Sequence, residues 1–222
     1  MNAANHIPET IVVTGAFSDW TLAGLRDFAR RADQAGVKLI VLPDAIAPVD
    51  GGEAWPDALI VVGWLAAATE RVRLAGAISS LGHQPYNLAR RLASLELISG
   101  GRAGWFVIDG ADAERTAYSA PQRLDEVDLA ERQAEFEDVV AGLWSSWDAN
   151  ALVHDRAAGQ FFRPDAMHTL DHEGKHFAVR GPLNVMRSPR GAPDLLHASD
   201  LAGAITVSSL AAGLAILGET AP

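Results

Sequence analysis

Short apolar runs alternate with helix-spaced segments through the first half of this chain, and that alternation limits the fold to one built on a parallel sheet. Four runs read as strands: Ile11–Gly15 (IVVTG), Val37–Leu42 (VKLIVL), Arg71–Ile78 (RVRLAGAI) and Ala103–Ile108 (AGWFVI). Between them lie three helical segments. Leu22–Gly36 places apolar residues at 22, 25, 28, 29, 32 and 35, with Thr21 as its N-cap and Gly36 where a helix stops. Trp55–Thr69 is apolar and carries Pro56 near its start, and Asn87–Ile98 is stopped by Ser99-Gly100-Gly101. This spacing predicts βαβ units joined by right-handed crossovers. A barrel and a doubly wound sheet both satisfy the pattern.

The chain has 222 residues, 49% of them apolar and 21% charged, which suits one domain with a sizeable core. Its net charge of −10 argues against nucleic acid or an anionic membrane surface as a main partner. It contains no Cys, which removes disulfides, thiolate catalysis and cysteine-ligated zinc. The first residues, MNAANHIPETIVV, lack the basic and apolar regions of a secretory signal. No apolar run approaches the ~20 residues that span a bilayer. The expected location is the cytoplasm.

Beyond the fourth strand, residues 112–150 are polar to amphipathic. Leu129–Trp147 is the clearest helix there, with Phe136, Val139, Val140, Leu143, Trp144 and Trp147 on one stripe. Residues 151–193 are rich in Gly, Pro, His and charge, and read as an insertion with a hairpin around Glu173-Gly174. Asp194–Ala198 is the fifth strand. Ala202–Leu217 reads as a helix followed by a sixth strand at Leu214–Leu217, or as one buried helix.

The run QPYNLARRLASLELISGGRAGWF, residues 84–106, resembles the FMN-dependent luciferase-like monooxygenases, in the branch that includes nitrilotriacetate monooxygenase. EFEDVVAGLWSSW (135–147) and GKHFAVRGPLNVMRSPRGAP (174–193) extend the resemblance, which covers roughly residues 37–203. It implies a TIM-like (β/α) barrel with a long insertion after the fourth strand, incomplete at this length. It also implies FMN, reduced by a separate flavin reductase, and oxygen insertion into a small organic substrate.

In parallel α/β folds the functional groups gather at the C-terminal ends of the strands. The resemblance places Asp44, Ser79 and Ser80 at flavin-handling positions there, with no catalytic residue identified. Each has a plainer reading, Asp44 as a helix-capping carboxylate and the serines as turn residues. Other positions depart from the family pattern. Ala77 and Phe106 stand where relatives have Thr and Asn, and Asp109-Gly110 replace Thr-Ser. An Arg-Tyr pair falls on Leu129-Ala130. In the segment that cradles the FMN phosphate, Ala198–Ala204, Asp200 takes the place of Ser and Ala204 that of Arg; a gap of one residue would instead bring Ser199 to the hydroxyl position. A carboxylate there repels a phosphate.

His168, His172 and His176 would share a helix face, but Gly174 and the hairpin scatter them, so solvated loop histidines and no metal site are expected. Two functions follow: a short flavin-dependent monooxygenase, or a non-catalytic relative that serves as a structural or subunit partner. An unclosed barrel exposes strand edges and apolar interior, which predicts a homo-oligomer, most simply a dimer.

Overall fold

In the computed structural model, residues 7–44, 55–108 and 124–218 are described. Four parallel strands alternating with three helices open the chain: β1 (Thr10–Val13), α1 (Leu22–Ala35), β2 (Leu39–Pro43), α2 (Ala58–Ala66), β3 (Arg73–Ser79), α3 (Pro85–Ser99) and β4 (Ala103–Ile108). Then come α4 (Glu126–Trp144), the two small antiparallel hairpins β5 (Leu152–Asp155) with β6 (Gln160–Phe162) and β7 (His172–Glu173) with β8 (Ala178–Val179), and finally β9 (Asp194–Leu196), β10 (Ile205–Val207) and α5 (Leu210–Ile216). The main sheet has the order β10-β1-β2-β3-β4-β9, and every neighbouring pair is parallel.

Side-chain alternation along the strands settles the choice between a barrel-type and a doubly wound arrangement. Ile11, Val13, Ile40, Leu42, Leu74, Ile78, Ala103 and Trp105 join one buried cluster with residues from all five helices. Among the described residues the helices therefore cover the same face, whereas a doubly wound sheet has them on both. The opposite, inner face carries a second, smaller cluster of Leu39, Val41, Ala75 and Leu196, flanked by Val12, Ala77, Phe106 and Leu201. The register stacks these residues in layers, as a barrel interior does. Val12, Val41, Ala75 and Gly104 form one level, and Pro43, Ala77, Phe106 and Leu196 the next. Gly104 belongs to this face, since a Cβ there would meet that of Ala75 at 3.4 Å. Arg73 on β3 forms an ion pair with Asp194 on β9.

Local chemistry explains the helix ends. Thr21 Oγ1 accepts the Gly24 N–H at 3.1 Å to start α1, and Gly36 closes that helix at φ 91°. Pro85 opens α3, where its missing N–H is no loss. Gly100 ends α3 in the left-handed region. Arg102 then ties the turn together. Its guanidinium donates to the carbonyls of Ser99, Val72, Ala66 and Thr69 and to the Thr69 hydroxyl, at 2.8–3.1 Å.

The structure corrects several boundaries. The second helix starts at Ala58, because the Asp57 carboxylate caps it by accepting from Leu59 and Ile60 N–H. Trp147 lies beyond α4, bridged to Met167, and its indole N–H donates to the Leu183 carbonyl at 2.6 Å. The tail is the reverse of the expected helix-then-strand: Ile205–Val207 is the strand, beside β1, and Leu210–Ile216 is the helix. Ser209 caps that helix, its hydroxyl accepting the Ala212 N–H at 3.3 Å, so the helix begins where the strand's alternation ends. The hairpin expected near Gly174 is present as β7 and β8, and the β5–β6 hairpin was not anticipated. Residues 197–204 link β9 to β10, at opposite ends of the sheet. The link is too short for a crossover helix, and its Leu201 packs against the inner-face cluster.

Candidate functional site

Strands β2 and β3 end side by side, with Pro43 paired to Ala77, so Asp44, Ser79 and Ser80 reach the same edge of the sheet. All three are buried. Asp44 is engaged on both oxygens. Oδ1 accepts the Ala58 N–H at 3.4 Å, at the start of α2, and Oδ2 lies 2.8 Å from Nε2 of His83. A carboxylate suits that position because a helix N-terminus favours negative charge. Ser79 lies on the inner face; its hydroxyl oxygen accepts the Leu81 N–H at 3.3 Å. The Ser80 carbonyl accepts from Arg132 Nη2 at 3.3 Å.

His83 and Arg132 were not singled out from sequence. His83 gives no periodic signal; it stands in the turn just before the proline that opens α3. Arg132 does leave a trace, because it falls three residues after Leu129 and four before Phe136, on the stripe that the core occupies. Its guanidinium lies 4.3 Å over the Phe177 ring. Burial pulls its pKa below the usual arginine value, against the opposing pull of Glu135. Its Nε is buried without a partner. Leu129, where the family pattern has Arg, is buried apolar surface instead.

Around these groups the inner face is apolar and small. Ala77 and the half-buried Phe106 and Ile108 border the C-terminal end of the face. Asp109 and Gly110 lie outside the described residues.

The segment after β9 forms a 3-10 turn, Ala198–Leu201. Asp200 Oδ2 accepts the His197 N–H at 2.8 Å, and the Asp200 N–H returns to the His197 carbonyl at 2.9 Å. The N–H groups of Ala202 and Ala204 also go to carbonyls within the turn. A carboxylate thus sits at the head of the turn, where a phosphate would need free donors. Asp200 therefore does not suit a phosphate at this turn, whereas the inner face offers a flavin ring apolar surface at Ala77 and Phe106.

The three insertion histidines are dispersed. His168 pairs with Asp148 at 3.1 Å, and His172 Nε2 with Glu135 at 2.9 Å. His176 comes within 4.8 Å of Asp128 and Glu131, a trio with metal-ligating chemistry brought together only by the fold. The Lys175 ammonium already bridges the two carboxylates, at 2.7 and 2.6 Å. Hydrogen bonding from Lys175 holds the Asp128 carboxyl below its ordinary pKa. A cavity lined by Trp144, Trp147, Leu183 and Val185 includes no residue from the sheet's strand ends. Among the described residues no helix is long and apolar enough to cross a membrane.

Comparison with known proteins agrees with the fold. The chain is 38% identical over 185 residues to dibenzothiophene-sulfone monooxygenase of Rhodococcus erythropolis, covering 77% of this chain and 41% of that protein. It is 33% identical over 189 residues to nitrilotriacetate monooxygenase component A of Aminobacter aminovorans, covering 78% and 42%. A solved riboflavin lyase, with modified FMN and its substrate riboflavin, superposes with a TM-score of 0.72 at 29% identity, over 86% of this chain and 49% of that one. The chain therefore spans about two-fifths to half of the length of these relatives. The match to the luciferase-like monooxygenase family runs over residues 4–218, so the chain belongs to that family.

Proposed function

We propose that this chain is a flavin-binding unit of the nitrilotriacetate monooxygenase branch, with its inner sheet face as the platform for the isoalloxazine ring. The observation that carries this reading is the partly exposed apolar surface of Ala77 and Phe106, next to buried Ala75 and Ser79, at the end of the sheet where parallel α/β folds place their sites. When bound, reduced flavin would supply the electrons for oxygen insertion into a small organic substrate. The chain's own part is to bind and orient: apolar residues hold off water, Asp44 and His83 fix the turn after β3 against α2, and Arg132 fixes the Ser80 backbone.

A second reading, a non-catalytic subunit partner, is supported by Asp200 at the head of the turn and by Leu201 on the inner-face cluster. The uncovered part of the inner face also supports a homodimer as the working assembly, which light scattering would test. Fluorescence titration with oxidised and reduced flavin separates the two functions. Micromolar or tighter binding, about −8 kcal/mol or better, is expected for the flavin reading. No binding by either redox form would leave only the partner role.

A further inference from the structure

Resting on the flavin reading above, we infer that this chain takes the uncharged flavin, riboflavin, in preference to its 5′-phosphate. The two share the ring and the ribityl chain and differ only in the phosphate, which carries nearly two negative charges at neutral pH. Holding that group at the mouth of a parallel sheet takes free backbone N–H groups or cationic side chains.

The segment after β9 has no Lys or Arg, and four of its N–H groups are already taken. His197 N–H is spent on the Asp200 carboxylate, and the N–H groups of Asp200, Ala202 and Ala204 are spent on carbonyls of the same turn. No Lys or Arg occurs from Gly191 to Pro222, so β9, the link and β10 bring no cation to this end of the sheet. Glu137 on α4 lies close enough to His197 to interact with it, which adds a second carboxyl group near the turn. A phosphate placed here would meet the Asp200 carboxylate with no Lys or Arg of this segment to offset it. Riboflavin would meet the same apolar platform with no charge to place.

The expected preference is about tenfold, the scale set by a near-dianion facing one exposed carboxylate at a water-like dielectric. Fluorescence-quenching titrations of the full chain with riboflavin and with FMN test it. Riboflavin should bind about tenfold more tightly in about 0.02 M salt, and the gap should shrink in about 0.5 M salt as the repulsion is screened. Asp200→Ser should improve FMN affinity and leave riboflavin affinity unchanged. FMN binding as tightly as riboflavin, or more tightly, would overturn the inference and leave the flavin reading standing. A preference unmoved by Asp200→Ser would overturn the assigned cause. If neither compound binds, the flavin reading itself is lost.

Discussion

Replacing Arg102 should cost this protein more stability than any other single exposed or half-buried charge on the motif that identifies its family. The guanidinium makes five hydrogen bonds at 2.8–3.1 Å. Its acceptors lie at the C-terminal end of α2 and just beyond it (Ala66, Thr69), ahead of β3 (Val72) and at the end of α3 (Ser99). Hydrogen bonds to a charged donor each contribute about 1.5–3 kcal/mol, and they do not add when they share one group. Water can reach this half-buried site and replace part of what is lost. Arg102→Ala is therefore expected to cost about 3–4 kcal/mol, and to lower Tm by about 10 °C for a domain of this size. Arg102→Lys should fall between, at about 2 kcal/mol, because a compact ammonium cannot span acceptors on three elements as a planar fork does. Urea unfolding of both variants, with slopes compared to the parent, measures this. A loss below about 1 kcal/mol for Ala, or a Lys variant indistinguishable from the parent, would refute the argument that the fork geometry locks these elements together.

Gly15 sits at φ +84° just past β1, and a Cβ there would lie 2.3 Å from the Ser208 carbonyl oxygen, so Gly15→Ala should cost about 2–4 kcal/mol by thermal unfolding. Asp33 is buried, which raises its pKa, but N–H bonds from Val72, Glu70 and Arg71 and the Arg71 charge outweigh this and hold it low. Its folded pKa is thus below the unfolded value of about 3.9, so its contribution is present above that pH and lost as pH falls through the folded value. Between about pH 5 and about pH 2.5 the parent should accordingly lose more stability than Asp33→Asn, and equal slopes would contradict the assignment. Glu135 accepts from His172 and from the backbone N–H groups of His176 and Phe177 at 2.8–2.9 Å. Glu135→Ala should cost about 2–3 kcal/mol and speed amide hydrogen exchange in residues 172–179 ahead of the rest of the chain.

The sequence by itself determined the parallel βα units, most of the early element types and the family. Those properties rest on local signals: strand-length apolar runs, helical spacing, Thr21 and Gly36 at helix ends, and the glycine stop before Arg102. It also exposed Asp200 as a departure, because one substituted residue in a recognisable segment is legible without coordinates. It did not show that the five described helices share one face, since strand parity reveals burial but not which partner supplies it. The tail was misread because Ile205–Val207 pairs with β1, a contact made across nearly the whole chain that leaves no local periodicity. The same limit hid the site's working partners. The helix-capping reading of Asp44 holds at the start of α2, but its second partner, His83, came only with folding. Arg132 falls on the core stripe of α4, but its partners, the Phe177 ring and the Ser80 carbonyl, are set only by the fold. Only the tertiary structure decides such pairings, because their physics acts through space between groups that the chain order keeps apart.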